Sequence, residues 1–93
     1  MHDFKVKFEW DSAKSGSNQA KHGISFGQAV SLWDGVVVSF KSHQPGELRQ
    51  LVIGRINGKT WTAIITERGD TIRIISVRRA RETEEQLYEK NKN

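Results

Sequence analysis

The dipeptide Asn57-Gly58 constrains this chain more than any other feature. A two-residue hairpin loop whose twist suits its strands needs positive φ at both central residues, and Asn-Gly reaches that geometry with least strain. Alternating runs flank it. Leu48 to Ile56 puts Leu51 and Ile53 on one face and Leu48 and Val52 on the other. Lys59 to Arg68 returns with Trp61, Ala63 and Ile65 on one face and Thr60, Thr62, Ile64 and Thr66 on the other, the period-2 pattern of paired strands. Gly69-Asp70 supplies the next turn, and Asp70 to Arg79 the last strand, with Ile72 and Ile74 on one face and Ile75 and Val77 on the other. A strand apolar on both faces is expected to lie centrally in a sheet.

Before this meander the pattern changes. Val6, Phe8 and Trp10 alternate with polar residues in a short strand from Lys5 to Trp10. Asp11 is the N-cap expected for a helix over Ser12 to His22, with Gly23 as its left-handed stop. That helix is poor in apolar residues, with Ala13 and Ala20 as its expected small contacts. Ser25 and Gln28 have capping-box spacing. Phe26, Ala29, Val30 and Trp33 then follow at i, i+3, i+4 and i+7, so the spacing predicts a second helix to Asp34 with Trp33 in the core. Val36 to Phe40 reads as a strand, and Lys41 to Glu47, with the only proline, as a loop. Thr83 to Gln86 has capping-box spacing again and opens a closing helix whose only large apolar residues are Leu87 and Tyr88. The order β-α-α-β-β-β-β-α predicts an α+β fold, helices packed on a largely antiparallel sheet. Residues 1–93 form one domain, because so short a chain has no room for a second core.

Charge placement says more than total charge. The chain carries 15 Lys and Arg against 11 Asp and Glu, a net charge of +4. All seven arginines lie after residue 46. Thr66 to Arg81 alone holds five of them, a density that a buried strand does not need. The planar guanidinium suits phosphate better than the point charge of lysine, so the second half is expected to face an oxyanion. The blander alternative is a solvated basic face. Cysteine is absent, which removes disulfides, thiolate nucleophiles and sulfur-ligated metals. No apolar run approaches the ~20 residues of a membrane span, and Met1 to Lys5 has no apolar leader stretch. A soluble, cytoplasmic protein is expected.

His2, His22 and His43 have no partner at metal-ligand spacing, and no phosphate-cradling glycine motif occurs, so neither metal nor cofactor is expected. RNA cleavage can proceed without either. The 2′-hydroxyl is already in the substrate; the protein must move protons and neutralise charge growing on the phosphate. His22 and Glu67 suit proton transfer, while Lys21, Arg68, Arg73, Arg78 and Arg79 suit phosphate. Lys21-His22 ends a helix, where the last carbonyls favour cations, and a protonated imidazole donates near neutral pH. Each has a plainer reading: His22 as a simple cap, Glu67 and Arg68 as a solvated turn, Arg78 to Arg81 as a solvated approach to a helix. Strand parity also sends Arg78 and Arg79 to opposite faces.

These residues together resemble the BrnT family, toxins of type II toxin–antitoxin systems. The resemblance rests on Phe8-Glu9-Trp10-Asp11, on Asn18 and Lys21-His22-Gly23-Ile24-Ser25-Phe26 with Ala29, on Ile53-Gly54, on Thr66 to Asp70, on Ile72 to Ala80 and on Tyr88-Glu89. It implies a RelE-like fold and a metal-independent endoribonuclease that cleaves RNA, with mRNA the expected substrate, and inhibits translation. It also implies neutralisation by a BrnA-like ribbon-helix-helix antitoxin, which supplies any DNA contact. The family's catalytic positions fall on Lys21, His22, Glu67, Arg68 and Arg79, and its RNA-binding positions on Trp10, Arg73 and Arg78. The chain departs from the family pattern at Ser12, where proline is common, and at Gly27-Gln28, where an acidic pair is common. It departs again in the closing helix, acidic here through Glu82, Glu84, Glu85 and Glu89, which points that helix to packing or to the antitoxin. The alternative function is a non-catalytic RNA- or ribosome-binding module that inhibits by occupancy.

Overall fold

The structure is a computed structural model and describes residues 6–42 and 48–93. The expected loop from Lys41 to Glu47 therefore lies mostly outside the described residues, as does Lys5. The elements run β1 (Lys7–Glu9), α1 (Ser12–His22), α2 (Phe26–Ala29), a 3-10 segment (Val30–Asp34), β2 (Val38–Lys41), β3 (Arg49–Ile56), β4 (Lys59–Arg68), β5 (Thr71–Arg79) and α3 (Glu82–Asn91). The five strands form one sheet in the order β1-β5-β4-β3-β2. Every pairing is antiparallel except β1 with β5. The fold is α+β, as expected.

Local chemistry explains the element ends. Asn57 (φ 51°) and Gly58 (φ 78°) both take positive φ and turn β3 into β4, with Ile56 opposite Lys59. The Asp11 carboxylate accepts from the Lys14 amide at 3.1 Å, and Gly23 closes α1 at φ 79°. Ser25 and Gln28 bond reciprocally as a capping box.

Four expectations are corrected. The second helix stays α-helical only to Ala29, then tightens to 3-10. The Ser31 hydroxyl bonds back to the Gln28 carbonyl there, an alternative to the helical ladder. With three residues per turn the fully buried series becomes Phe26, Ala29, Leu32, and Trp33 sits half-buried, edge-on to Phe8 at 4.9 Å. In α1 both alanines are exposed, and the one buried residue is Asn18. At α3 the N-cap is Arg81 and the helix begins at Glu82, two residues sooner than a cap at Thr83 predicts, because the Glu84 carboxylate accepts from the Arg81 amide at 2.8 Å.

The fourth correction concerns β5. β5 lies inside the sheet between β1 and β4, as expected, although β1 pairs with it only from Thr71 to Arg73; its faces are what differ. A β-bulge leaves Ile75 without a cross-strand partner: Ile65 faces Ile74, whereas Ile64 faces Ser76. The extra residue shifts the alternation, so Ile72, Ile74 and Val77 all join the same core. That core lies between the sheet and α1, α2 and the 3-10 segment, with Phe26, Leu32, Val52, Ala63 and Ile65 fully buried. The other face carries a smaller cluster, where Tyr88 of α3 packs on Val38, Ile53 and Phe40.

Candidate functional site

The sheet register sorts the expected site residues. Side chains directly opposite each other on paired strands share a face. Arg79 lies opposite Trp61, and Glu67 opposite Ile72, both on the face that packs against α1 and α2. Arg78 lies opposite Thr62, Arg73 opposite Thr66, and Arg68 opposite Thr71, all on the α3 face. Length divides them again. Ile72, the partner of Glu67, is seven residues from Arg79, so roughly 20 Å of strand separates Glu67-Arg68 from Arg79.

The guanidinium of Arg79 lies over the Trp61 ring at 5.4 Å and its Nε donates to the Thr60 carbonyl at 3.4 Å, which holds an otherwise exposed cation in one place. Trp61 also lines a recess of about 360 Å³ with Gly23, Ile24 and Lys59. On the other side of the end of α1, Lys14, Ser17, Lys21 and His22 line a second recess of about 210 Å³ against Ile75 and Ser76. Lys21 and His22 thus line one recess beside the middle of β5, and Gly23, the next residue, lines the other beside Trp61. Among the described residues, neither Lys21 nor His22 has an ion pair or side-chain hydrogen bond, so both are available to a ligand.

Arg78 is differently placed. Its two terminal nitrogens grip the Glu84 carboxylate at 2.7 and 2.8 Å, a bidentate pair on the other face. Thr62 also donates to Glu84, at 3.0 Å. Burial alone would push the Glu84 carboxyl up; the hydrogen bonds from Arg78, the Arg81 amide and Thr62 outweigh it and hold the carboxyl down at about 2. The same Glu84 bond, working against burial, pushes the Arg78 guanidinium up. Both groups are charged at neutral pH. Arg78, Arg81 and Arg49 border a groove of about 280 Å³ floored by Leu51 and Ile64, and Glu84 supplies the acid within it.

At the far turn, Arg73 pairs with Glu9 at 3.4 Å and Lys7 with Asp70 at 3.7 Å, while Arg68 and Glu67 are exposed. Trp10 is half-buried and packs against the main core. Among the described residues no group of three His, Cys, Asp or Glu side chains could hold a metal ion. None of the described helices is long and apolar enough to cross a membrane.

The structure therefore sets Lys21 and His22 beside Ile75 and Ser76 of β5 and Arg79 on Trp61, and separates Arg79 from Glu67, Arg68 and Arg73 along the strand. A family model described as "Ribonuclease toxin, BrnT, of type II toxin-antitoxin system" matches residues 10–84. The chain belongs to the BrnT family. Comparison with curated proteins gives no match. As a BrnT protein the chain is a ribonuclease toxin whose system pairs it with an antitoxin, and the matched span runs from Trp10, through Lys21-His22 and all the arginines, to Glu84.

The sequence reads Asn18, with Lys14, Lys21 and His22, as a polar group displayed by α1, and the structure corrects this, because Asn18 is buried. It is the buried polar residue that joins α1 to β5, and the only local signal was its place one turn before Lys21-His22.

Proposed function

We propose that this BrnT protein is a metal-independent endoribonuclease that cuts RNA, mRNA in particular, at the junction of α1 and β5, and so inhibits translation in the cytoplasm. The observation that supports this site most is the pairing of a fixed guanidinium, Arg79 on Trp61, with unpaired Lys21 and His22 at the end of α1. In the proposed step the substrate's 2′-oxygen forms a bond to the adjacent phosphorus and the bond from phosphorus to the 5′-oxygen breaks. The 2′-proton leaves to solvent, and His22 delivers a proton to the departing 5′-oxygen. Lys21 and Arg79 neutralise the charge that builds on the phosphoryl oxygens, where fixed cations stabilise the transition state more than the ground state. The products are a 2′,3′-cyclic phosphate and a 5′-hydroxyl.

Glu67 lies too far along the sheet to act on the same phosphate as Arg79. With Arg68 and Arg73 it is assigned to the flank of the bound strand. Trp10 serves that strand through the core it braces. The fold is read as RelE-like, and the antitoxin as a BrnA-like ribbon-helix-helix protein, with the acidic α3 left to packing or to that partner.

The length of strand between Glu67 and Arg79, roughly 20 Å, favours a second reading, a module that occupies RNA or the ribosome without cutting. One assay separates the two. Purified protein is incubated with RNA and a chelator. Fragments ending in cyclic phosphate support the proposal. RNA that is shifted on a gel but uncut supports occupancy, and cleavage abolished by the chelator overturns metal independence.

A further inference from the structure

Asn18 occupies the place of a missing strand. Val77 lies directly opposite Ala63 in β4, yet its N–H and C=O both bond to Asn18, so both point away from β4 toward the outer edge of β5. β1 covers that edge only as far as Arg73. Past it, the Asn18 side chain accepts from the Val77 amide at 3.2 Å and donates to the Val77 carbonyl at 2.9 Å, as a neighbouring backbone would. Its amide nitrogen also donates to the Ile24 carbonyl at 2.8 Å. One buried carboxamide thus ties together α1, the chain leaving it past Gly23, and the end of β5.

The choice of asparagine follows. A carboxylate would set negative charge against two carbonyl oxygens, and an apolar isostere would leave buried polar groups unpaired. Lys21 and His22 lie three and four residues further on, above Asn18 on the same side of the helix. Arg78 and Arg79 directly follow Val77. No other described side chain hydrogen-bonds α1 to β5.

We propose that Asn18 is a positioning residue for RNA cleavage: it fixes the separation between Lys21-His22 and Arg79, and so the fit of the pair to one phosphate. The inference rests on the cleavage site proposed above. Small displacements of catalytic groups cost up to ~100-fold in rate.

The test is a double-mutant cycle on purified protein, with kcat and KM measured for a short RNA and folding checked by circular dichroism. Asn18→Asp is expected to lower kcat ten- to a hundredfold with KM within about threefold of the parent. In a Lys21→Ala background the same change is expected to cost little more, because the group it positions is gone. Lower pH is expected to restore part of the Asn18→Asp loss, since a protonated carboxyl again donates to one carbonyl. Additive losses, or a folded Asn18→Asp protein that cleaves like the parent, overturn the inference and leave the cleavage site standing. RNA left intact by the unaltered protein overturns the cleavage reading and this inference with it. Asn18→Ser, whose hydroxyl both donates and accepts, carries the same measurements if Asn18→Asp does not fold. Failure of both to fold overturns the positioning role in favour of a purely structural one.

Discussion

Arg78 and Arg79 show how far one residue of strand parity reaches. Arg79 rests on Trp61 and keeps a side exposed, whereas Arg78 is spent on Glu84. The pair predicts a pH dependence of stability. The Glu84 carboxyl sits at about 2 when folded, against an ordinary value near 4.5. A carboxyl lowered by folding adds stability above its unfolded value and loses it as pH falls through the folded one. Stability is therefore expected to decline from about pH 5 toward pH 2, and Glu84→Gln is expected to flatten that decline. At neutral pH the substitution is expected to cost roughly 2 kcal/mol, less than the ~3–5 kcal/mol of a fully buried pair, because water reaches part of this one. Urea unfolding across that pH range measures both. The opposed directions of the two arginines were legible from alternation alone. The partner of Arg78 was not, because an acid six residues away in a new helix carries no period that links it to the strand. Asn18 was hidden for a similar reason: its bonds span 59 positions to Val77, and a polar residue in a polar helix reads as solvated.

At the scale of elements, the meander was legible because its signals are local. Asn57-Gly58 fixes the turn, and the register of β3 on β4 follows from it without a break. The bulge at Ile75 was not legible, since Ile74-Ile75 reads equally well as two opposite faces, and only the shared burial of Ile72, Ile74 and Val77 against one layer settles it. The 3-10 segment was missed because a 3.6 period and a 3.0 period diverge only after two turns, where Leu32 is fully buried and Trp33 packs half-buried against the core. That tighter turn brings Leu32 down onto β3 at Gly54. A Cβ at Gly54 would lie 3.1 Å from Leu32 Cδ2 and 3.2 Å from Val37 Cγ1. Both neighbours pack in the core, so room is lacking on two sides. Gly54→Val is expected to cost about 1–3 kcal/mol through overpacking, read as a lower urea midpoint. In a Leu32→Ala background the added cost of Gly54→Ala is expected to shrink, because the cavity accepts the methyl.

On the scale of the whole molecule, the sheet partitions the basic residues into two sets with different expected roles. Lys21 and His22 line a recess against Ile75 and Ser76, and Arg79 lies on Trp61 on the helix-packed face, while Arg68 lies at the opposite end of the β4–β5 hairpin from Arg79, on the other face, where the proposed cleavage site leaves it to phosphates distant from the cut. A single-stranded RNA passing around the outer edge of β5 can touch both sets, one for chemistry and one for grip. Arg79→Ala and Lys21→Ala are each expected to lower kcat by about 100-fold, the scale of losing one fixed donor to a transition-state oxyanion. Either is expected to relieve growth arrest in expressing cells while the protein stays folded. Arg68→Ala is expected to leave kcat within a few-fold, to raise KM, and to reduce the slope of log affinity against log salt by about 0.7, the share of one phosphate contact on a single strand. Kinetics at several salt concentrations, with melting curves for each variant, distinguish the sets. Equal losses of kcat from Arg68→Ala and Arg79→Ala would place the scissile phosphate nearer the middle of β5, and toxicity retained by both Lys21→Ala and Arg79→Ala at confirmed expression would remove the α1–β5 junction from the chemistry. On the proposed site, the arginine density in Thr66 to Arg81 has two sources rather than one: expected phosphate contacts spread along β5, and an internal ion pair that anchors α3.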